Sequence, residues 1–363
     1  MTTTSPTTDP RWNPAAHTSA LDRLVRPMVR DERDVVFPTA ILHISVAVLP
    51  LAVAMFFIPP FWAMIVGFPY LAYAFKTWCA HYMLMSHAVM HRPTFARGYA
   101  WLGVWLSWVL GPLFGCTPTA YQVHHLGMHH PENNLEADLS TTLPYVRDRF
   151  PHFAQYWLRF FIPGLPHLVM YLLGHRRHKL ARQLVIGEGA WLLAVVLLGV
   201  LNPVATFWTL VAPFLLLRVL MMCGNFAQHA FVDVDDPNNA FRNSTCLINT
   251  PYNHVAFNDG YHIVHHVKAN LHWSEMAQWY DDNRERFAAE DAVVFDGLFD
   301  NQHVWWLLMR QRYDILADHL VDFRNRSKEE KIRFLQSRTR RTRGAFPTLF
   351  APAITPTAPS PAA

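Results

Sequence analysis

Four short stretches of this chain hold 11 of its 21 histidines, and nine of these are candidates for chemistry. CAHYMLMSHAVMHRP carries His87 and His91. YQVHHLGMHHP carries His125, His129 and His130. GNFAQHAFVD carries His229, and NDGYHIVHH carries His262, His265 and His266. Neutral imidazole is the commonest protein ligand for transition metals. On a helix, residues three or four apart share a face. His87/His91, His125/His129 and the His262/His265/His266 set can each aim two imidazoles at one point. Adjacent residues diverge by about 100°. His130 and one of His265 and His266 must therefore reach a second point. Nine imidazoles also exceed the four to six ligands of a single ion. The pattern predicts two neighbouring metals.

Ligating imidazoles usually donate their second N–H to a carboxylate or carbonyl. Asp138 and Asp259 are the expected partners. Glu132, Glu136, Asp233, Asn225, Gln228 and Asn258 are also near in sequence. Single histidines on helices are ordinarily structural, and His43, His81, His152, His167, His254, His272, His303 and His319 are read so. His175 and His178 sit among arginines and read as interface residues. His124 neighbours a cluster but is out of phase with His125 and His129.

The elements carrying these histidines are apolar. From Val35 to Phe75 there is no Asp, Glu, Lys or Arg, and from Leu184 to Val232 only Glu188 and Arg218. Each run suffices for two membrane helices of about 20 residues. Pro59-Pro60 and Asn202-Pro203 break them in the middle, because proline cannot continue a helix. The expected fold is an all-α membrane protein. Four transmembrane helices, roughly 37–58, 61–84, 184–201 and 204–224, form two hairpins under a cytoplasmic helical cap that holds the two-metal site. Basic residues set the orientation. Arg23, Arg26, Arg30 and Arg33 precede the first hairpin, and HRRHKLAR lies between the two, whereas the hairpin tips are uncharged. Both termini and the histidines then face the cytoplasm. Gly98 to Pro131 and Trp157 to Leu173 are apolar but broken by Gly and Pro, which suits short re-entrant or interfacial helices.

Depth along the helices gives a separate constraint. His87 and His229 both lie roughly 40 Å of helix beyond the prolines that begin their spans. Against a core about 30 Å thick, that is some 10 Å past the inner interface. His43, Lys76, Glu188 and Arg218 fall near that interface, where snorkelling or pairing is expected.

The remaining composition narrows the class. Cys79, Cys116, Cys223 and Cys246 are scattered, which excludes a disulfide framework and a cysteine metal knuckle. The opening residues lack the basic start and apolar core of a secretory signal. A net charge of +4 without aromatic-basic interleaving argues against nucleic-acid binding. The domain reading is a polar segment over 1–34, a membrane domain over 35–280, cytoplasmic helices over 281–345 and a disordered tail over 346–363.

HxxxH, HxxxHH and HxxHH, in that order and interleaved with two apolar hairpins, resemble the integral-membrane fatty acid desaturase and hydroxylase superfamily. NFAQHAF resembles the additional histidine motif of the alkane hydroxylases, with Gln228 where that motif has Glu. The resemblance implies iron at His87, His91, His125, His129, His130, His229, His262, His265 and His266. It also implies two such ions and molecular oxygen as co-substrate. Ligand chemistry alone also allows zinc, copper or nickel. The first reading is an oxidoreductase of lipid metabolism that introduces a double bond into an acyl chain. The alternative is a hydroxylase or other oxygenase on the same scaffold. The substrate is a free fatty acid, acyl lipid or acyl-carrier. With no HPGG, four-cysteine cluster or GxGxxG in the chain, a separate ferredoxin- or cytochrome-type electron donor is expected. A metal transporter is the rival from another class, but it would place its ligands near the bilayer midplane.

Overall fold

The chain is described here by a computed structural model covering residues 6–342 and 347–350. Three helices are long and apolar enough to cross a membrane: Glu32–Phe57, His178–Leu201 and Pro203–Gln228. A further helical run over 60–91 passes without a break through Pro60–Tyr73, the π-helical Ala74–Cys79 and Ala80–His91. The breaks fall at the prolines. Pro60 and Pro203 each take the first helical position, where the missing N–H costs nothing. Asn202 caps the second start by accepting from the Ala205 N–H at 3.0 Å.

The outer faces of these helices are apolar. Little of His178–Leu201 is buried, and Leu192, Leu193, Val196, Leu197, Val200 and Leu201 are all exposed. Water-soluble monomers rarely show apolar patches above a few hundred Å²; lipid suits this face. Helix 60–91 lies against Pro203–Gln228 at Gly67, where an added Cβ would fall 2.2 Å from the Trp208 ring. Gly187 similarly lets His178–Leu201 press on the loop before the second histidine stretch, since a Cβ there would fall 2.0 Å from the Pro118 carbonyl oxygen. Glu188 and Arg218 meet at 3.7 Å, and Glu188 also accepts the Thr117 hydroxyl at 2.6 Å.

The expected interfacial stretches form the helices Trp101–Trp105, Ala120–His124, Phe150–Phe161 and Gly164–Gly174. Two π-helical stretches, Leu106–Leu110 and His125–His129, extend the first pair.

The all-α expectation needs one correction. Thr245–Ile248 and Val293–Asp296 pair as a parallel two-stranded sheet, Thr245 opposite Val293 through Ile248 opposite Asp296. DDNRERFAAEDAVV reads as helix throughout, yet its last helix spans only Arg284–Ala289. Asp291 takes a φ of 50°, which ends the helix, and the Val-Val-Phe that follows suits a buried strand.

The segment before the first long helix is tied down. Asp9 accepts the backbone N–H groups of Asn249 (2.7 Å) and Thr250 (3.2 Å) and the hydroxyl of Tyr261. The Asn258 amide donates to the Pro10 carbonyl at 2.7 Å. Of the tail expected to be disordered, residues 347–350 are described; the Gln155 and Arg159 side chains donate to the Pro347 and Thr348 carbonyls. The rest of that tail lies outside the described residues.

Candidate metal centre

Each histidine stretch is presented by a different element. His87 and His91 lie on the last turns of helix 60–91. His125 and His129 bound a π-helical stretch, with His130 immediately after it. His229 follows Pro203–Gln228, and His262, His265 and His266 ride on the short helix His262–Val267.

The nine side chains converge in two groups. His87, His91, His125, His130 and His265 form one; His129, His229, His262 and His266 form the other. Within each group the ligand atoms lie within 4.8 Å of one another. In the first, His87 Nε2 is 2.8 Å from His125 Nε2 and 3.1 Å from His265 Nε2, and His130 Nε2 is 2.9 and 2.8 Å from the same two. In the second, His262 Nε2 is 3.2 Å from His229 Nε2 and 3.0 Å from His266 Nε2. Metal–imidazole bonds of about 2.0–2.1 Å place ligand nitrogens at such separations around one ion. The groups adjoin, with the His130 and His266 ring centroids 5.3 Å apart.

The partition differs from the expected one. His125 and His129 do not share a point; His125 joins His130, and His129 faces the other group. The cause is the π-helical turn. The His130 N–H bonds to the His125 carbonyl, so residues five apart stack where four apart would on an α-helix.

Both expected carboxylates touch the imidazoles. Asp138 Oδ2 lies 2.7 Å from His129 Nδ1, and Asp259 Oδ1 lies 3.0 Å from His87 Nδ1. Asp138 also accepts the Asn134 N–H and the Ser140 N–H and hydroxyl. Asp259 also accepts the Tyr252 hydroxyl at 2.7 Å and the Gln228 amide at 3.2 Å. Gln228 thus reaches His87 through Asp259. The other nearby candidates turn elsewhere. Glu132 accepts the Tyr171 hydroxyl, Asp233 pairs with Arg338, Asn225 bonds Ser140 and Tyr156, and Glu136 is exposed.

Three supports were not anticipated from sequence. The Asn243 carbonyl lies 2.9 Å from His229 Nδ1. Tyr252 braces Asp259. Arg147, fully buried, donates to the carbonyls of Ala230, Val232 and Thr142 and so fixes the chain leaving His229. Residue type and spacing give no signal for any of the three, since each acts through a main-chain group or through another side chain.

Burial, followed by repulsion from neighbouring imidazoles, holds His229 near pKa 4 and His130 near 2. His125, His262, His265 and His266 are also pushed well below the ordinary value, for the same reasons. The rings are therefore neutral and their lone pairs available. The Nδ1 acceptors on His87, His129 and His229 require those rings to carry their proton on Nδ1, which leaves Nε2 free to bind metal. The donor set fits two transition-metal ions.

The sequence model of the fatty acid desaturase family matches residues 60–299, a span that contains all nine histidines. This chain belongs to that family. No curated protein and no solved structure matches it.

A cavity of about 620 Å³ runs beside the imidazoles of this desaturase-family chain. His87, His125, His129 and His262 stand in its wall. Its other walls are largely apolar, with Phe75, Met83, Leu84, Phe160, Leu217 and Met221 among them. His124, out of phase with its neighbours, lines the same cavity and joins neither group.

Proposed function

We propose that this protein is a membrane-bound, di-iron, oxygen-dependent desaturase that introduces a double bond into an acyl chain. One observation carries the reading: two sets of converging imidazoles adjoin a largely apolar cavity, with His87, His125, His129 and His262 in its wall. His87, His91, His125, His130 and His265 would hold one iron, and His129, His229, His262 and His266 the other. The irons would supply the oxygen-activating chemistry that breaks unactivated C–H bonds, which no acid–base pair achieves. In the net reaction the chain loses two hydrogens, and oxygen becomes two waters with two electrons and two protons from outside. The protein's own residues do the rest. The apolar wall positions the chain and excludes water, and Asp138, Asp259 and Asn243 fix the ring orientations.

The reading extends to topology. Glu32–Phe57, helix 60–91, His178–Leu201 and Pro203–Gln228 cross the bilayer as two hairpins, with their tips outward. The arginines before residue 34 and between residues 176 and 182 keep the histidine cap cytoplasmic. A separate ferredoxin- or cytochrome-type protein delivers the electrons there.

The test is expression in a lipid-rich host with mass analysis of the lipids. Wild type with about two irons per chain should yield a product lighter by two hydrogens, and His265→Ala should yield none. A product heavier by one oxygen would replace desaturation by hydroxylation. Full iron loading with no altered lipid would end the oxidative reading.

A further inference from the structure

Lys76 stands apart from every other charge around the cavity. It is the one lysine or arginine among the lining residues. No hydrogen bond or ion pair ties its side chain to another described residue. The two carboxylates in the lining are committed elsewhere: Asp259 to His87, Tyr252 and Gln228, and Asp300 to the His303 N–H at 2.7 Å, where it caps the next helix. The remaining polar lining residues include no further Lys, Arg, Asp or Glu.

The position of Lys76 follows from the packing of its helix. Gly67 meets Trp208, so helix 60–91 and Pro203–Gln228 run side by side from that level. Nine residues further along each come Lys76 and Leu217, both in the cavity wall. Lys76 is exposed, and it lies on the π-helical stretch Ala74–Cys79. From there to His87 the wall follows about 16 Å of helix. The cavity's rim also carries Val255 and Phe299, both exposed apolar side chains. Exposed apolar groups and one unpaired ammonium in the cavity wall, midway along a helix of membrane-spanning length, suit an opening toward the head-group layer.

We propose that Lys76 anchors the anionic head of a membrane-borne amphiphile, a carboxylate or a phosphate, whose chain enters the cavity from the bilayer and reaches the histidines. This rests on the acyl-chain reading of the cavity and adds the polarity of the substrate and its route of entry. An ammonium at the edge of low-dielectric surroundings binds an oxyanion more strongly than the same contact in water. A neutral ester or a hydrocarbon forgoes that contact.

The experiment measures binding on metal-depleted protein in neutral detergent, so that it does not depend on turnover. The probes are a spin-labelled fatty acid, its methyl ester and a lysophosphatidate of equal chain length. Wild type should bind at least one of the two anions about tenfold or more tightly than the ester. Lys76→Gln should remove that preference and leave ester binding unchanged, while Lys76→Arg should keep it. Lys179→Gln, at an exposed lysine outside the cavity, is the control and should keep it too. Preference for the acid alone identifies a free fatty acid, and preference for the phosphate alone identifies a phospholipid. Ester binding equal to that of both anions, or an unchanged preference in Lys76→Gln, would overturn the anchor and reduce Lys76 to a snorkelling side chain. Head-group selection without any lipid oxidation by the iron-loaded protein would instead sink the desaturase reading and leave the anchor standing.

Discussion

Asp259 joins two side chains, Tyr252 and Gln228, to one imidazole. Its Oδ1 faces His87 Nδ1, while Tyr252 and Gln228 hold its Oδ2. Removing it should leave the fold intact and loosen the ring that the five-histidine group depends on. Asp259→Ala is expected to weaken metal retention at that group by about 10–100-fold. Timed chelator challenge with metal counting should show one ion lost early and the other retained. Equal loss of both would contradict the division into two groups. At this scale much was legible beforehand. Histidines repeated at three- and four-residue spacing have few purposes, and Asp138 and Asp259 lie close to them in sequence. Asn243 and Arg147 were harder to see, because they act through backbone groups that only the folded chain brings near.

Elements divide the imidazoles between the two groups. The π-helical His125–His129 places His125 and His130 together and turns His129 away. Deleting Leu126 should convert that stretch to a regular α-helix in which His125 and His130 stand four apart and still share a face. Bound metal should then stay near the wild-type level, whereas inserting an alanine after Leu126 should rotate the residues beyond it by about 100° and drop bound metal below one ion per chain with helical content by circular dichroism unchanged; equal metal in the two variants would refute the role assigned to the π turn. Residue spacing does not announce a π turn, since a local sequence such as HHLGMHH fits an α-helix equally well. The strand Val293–Asp296 escaped for a similar reason. Its partner, Thr245–Ile248, lies far upstream, and a short Val-Val-Phe run after a helix carries no pairing signal of its own. The long apolar helices, by contrast, were plain from their lack of charge and their prolines.

For the whole molecule, burying so many imidazoles without protons ties stability to pH. His229 and His130 titrate near 4 and 2 when folded, against about 6.5 when unfolded. Below about 6.5 the unfolded chain binds more protons than the folded one, so stability falls with falling pH. The metal-free protein should therefore lose melting temperature steadily as pH drops from about 6.5 toward 4 in a thermal unfolding series. Bound metal should raise the melting temperature at every pH, because it binds the folded state alone, and should leave the slope at least as steep, because ligated rings take up no protons. A metal-free protein equally stable at both ends would show that the rings are less buried than described.

The bond from Asp9 to Tyr261 bears on how the protein is made. These partners are 252 residues apart, and ribosomes add about 5–20 residues per second. From His87 to His262 is 175 residues, so a nascent chain spends roughly 9–35 s with its earlier imidazoles already exposed to cellular cations and its final three not yet synthesised. A cell has that interval in which to guard the half-built nest from the wrong cation.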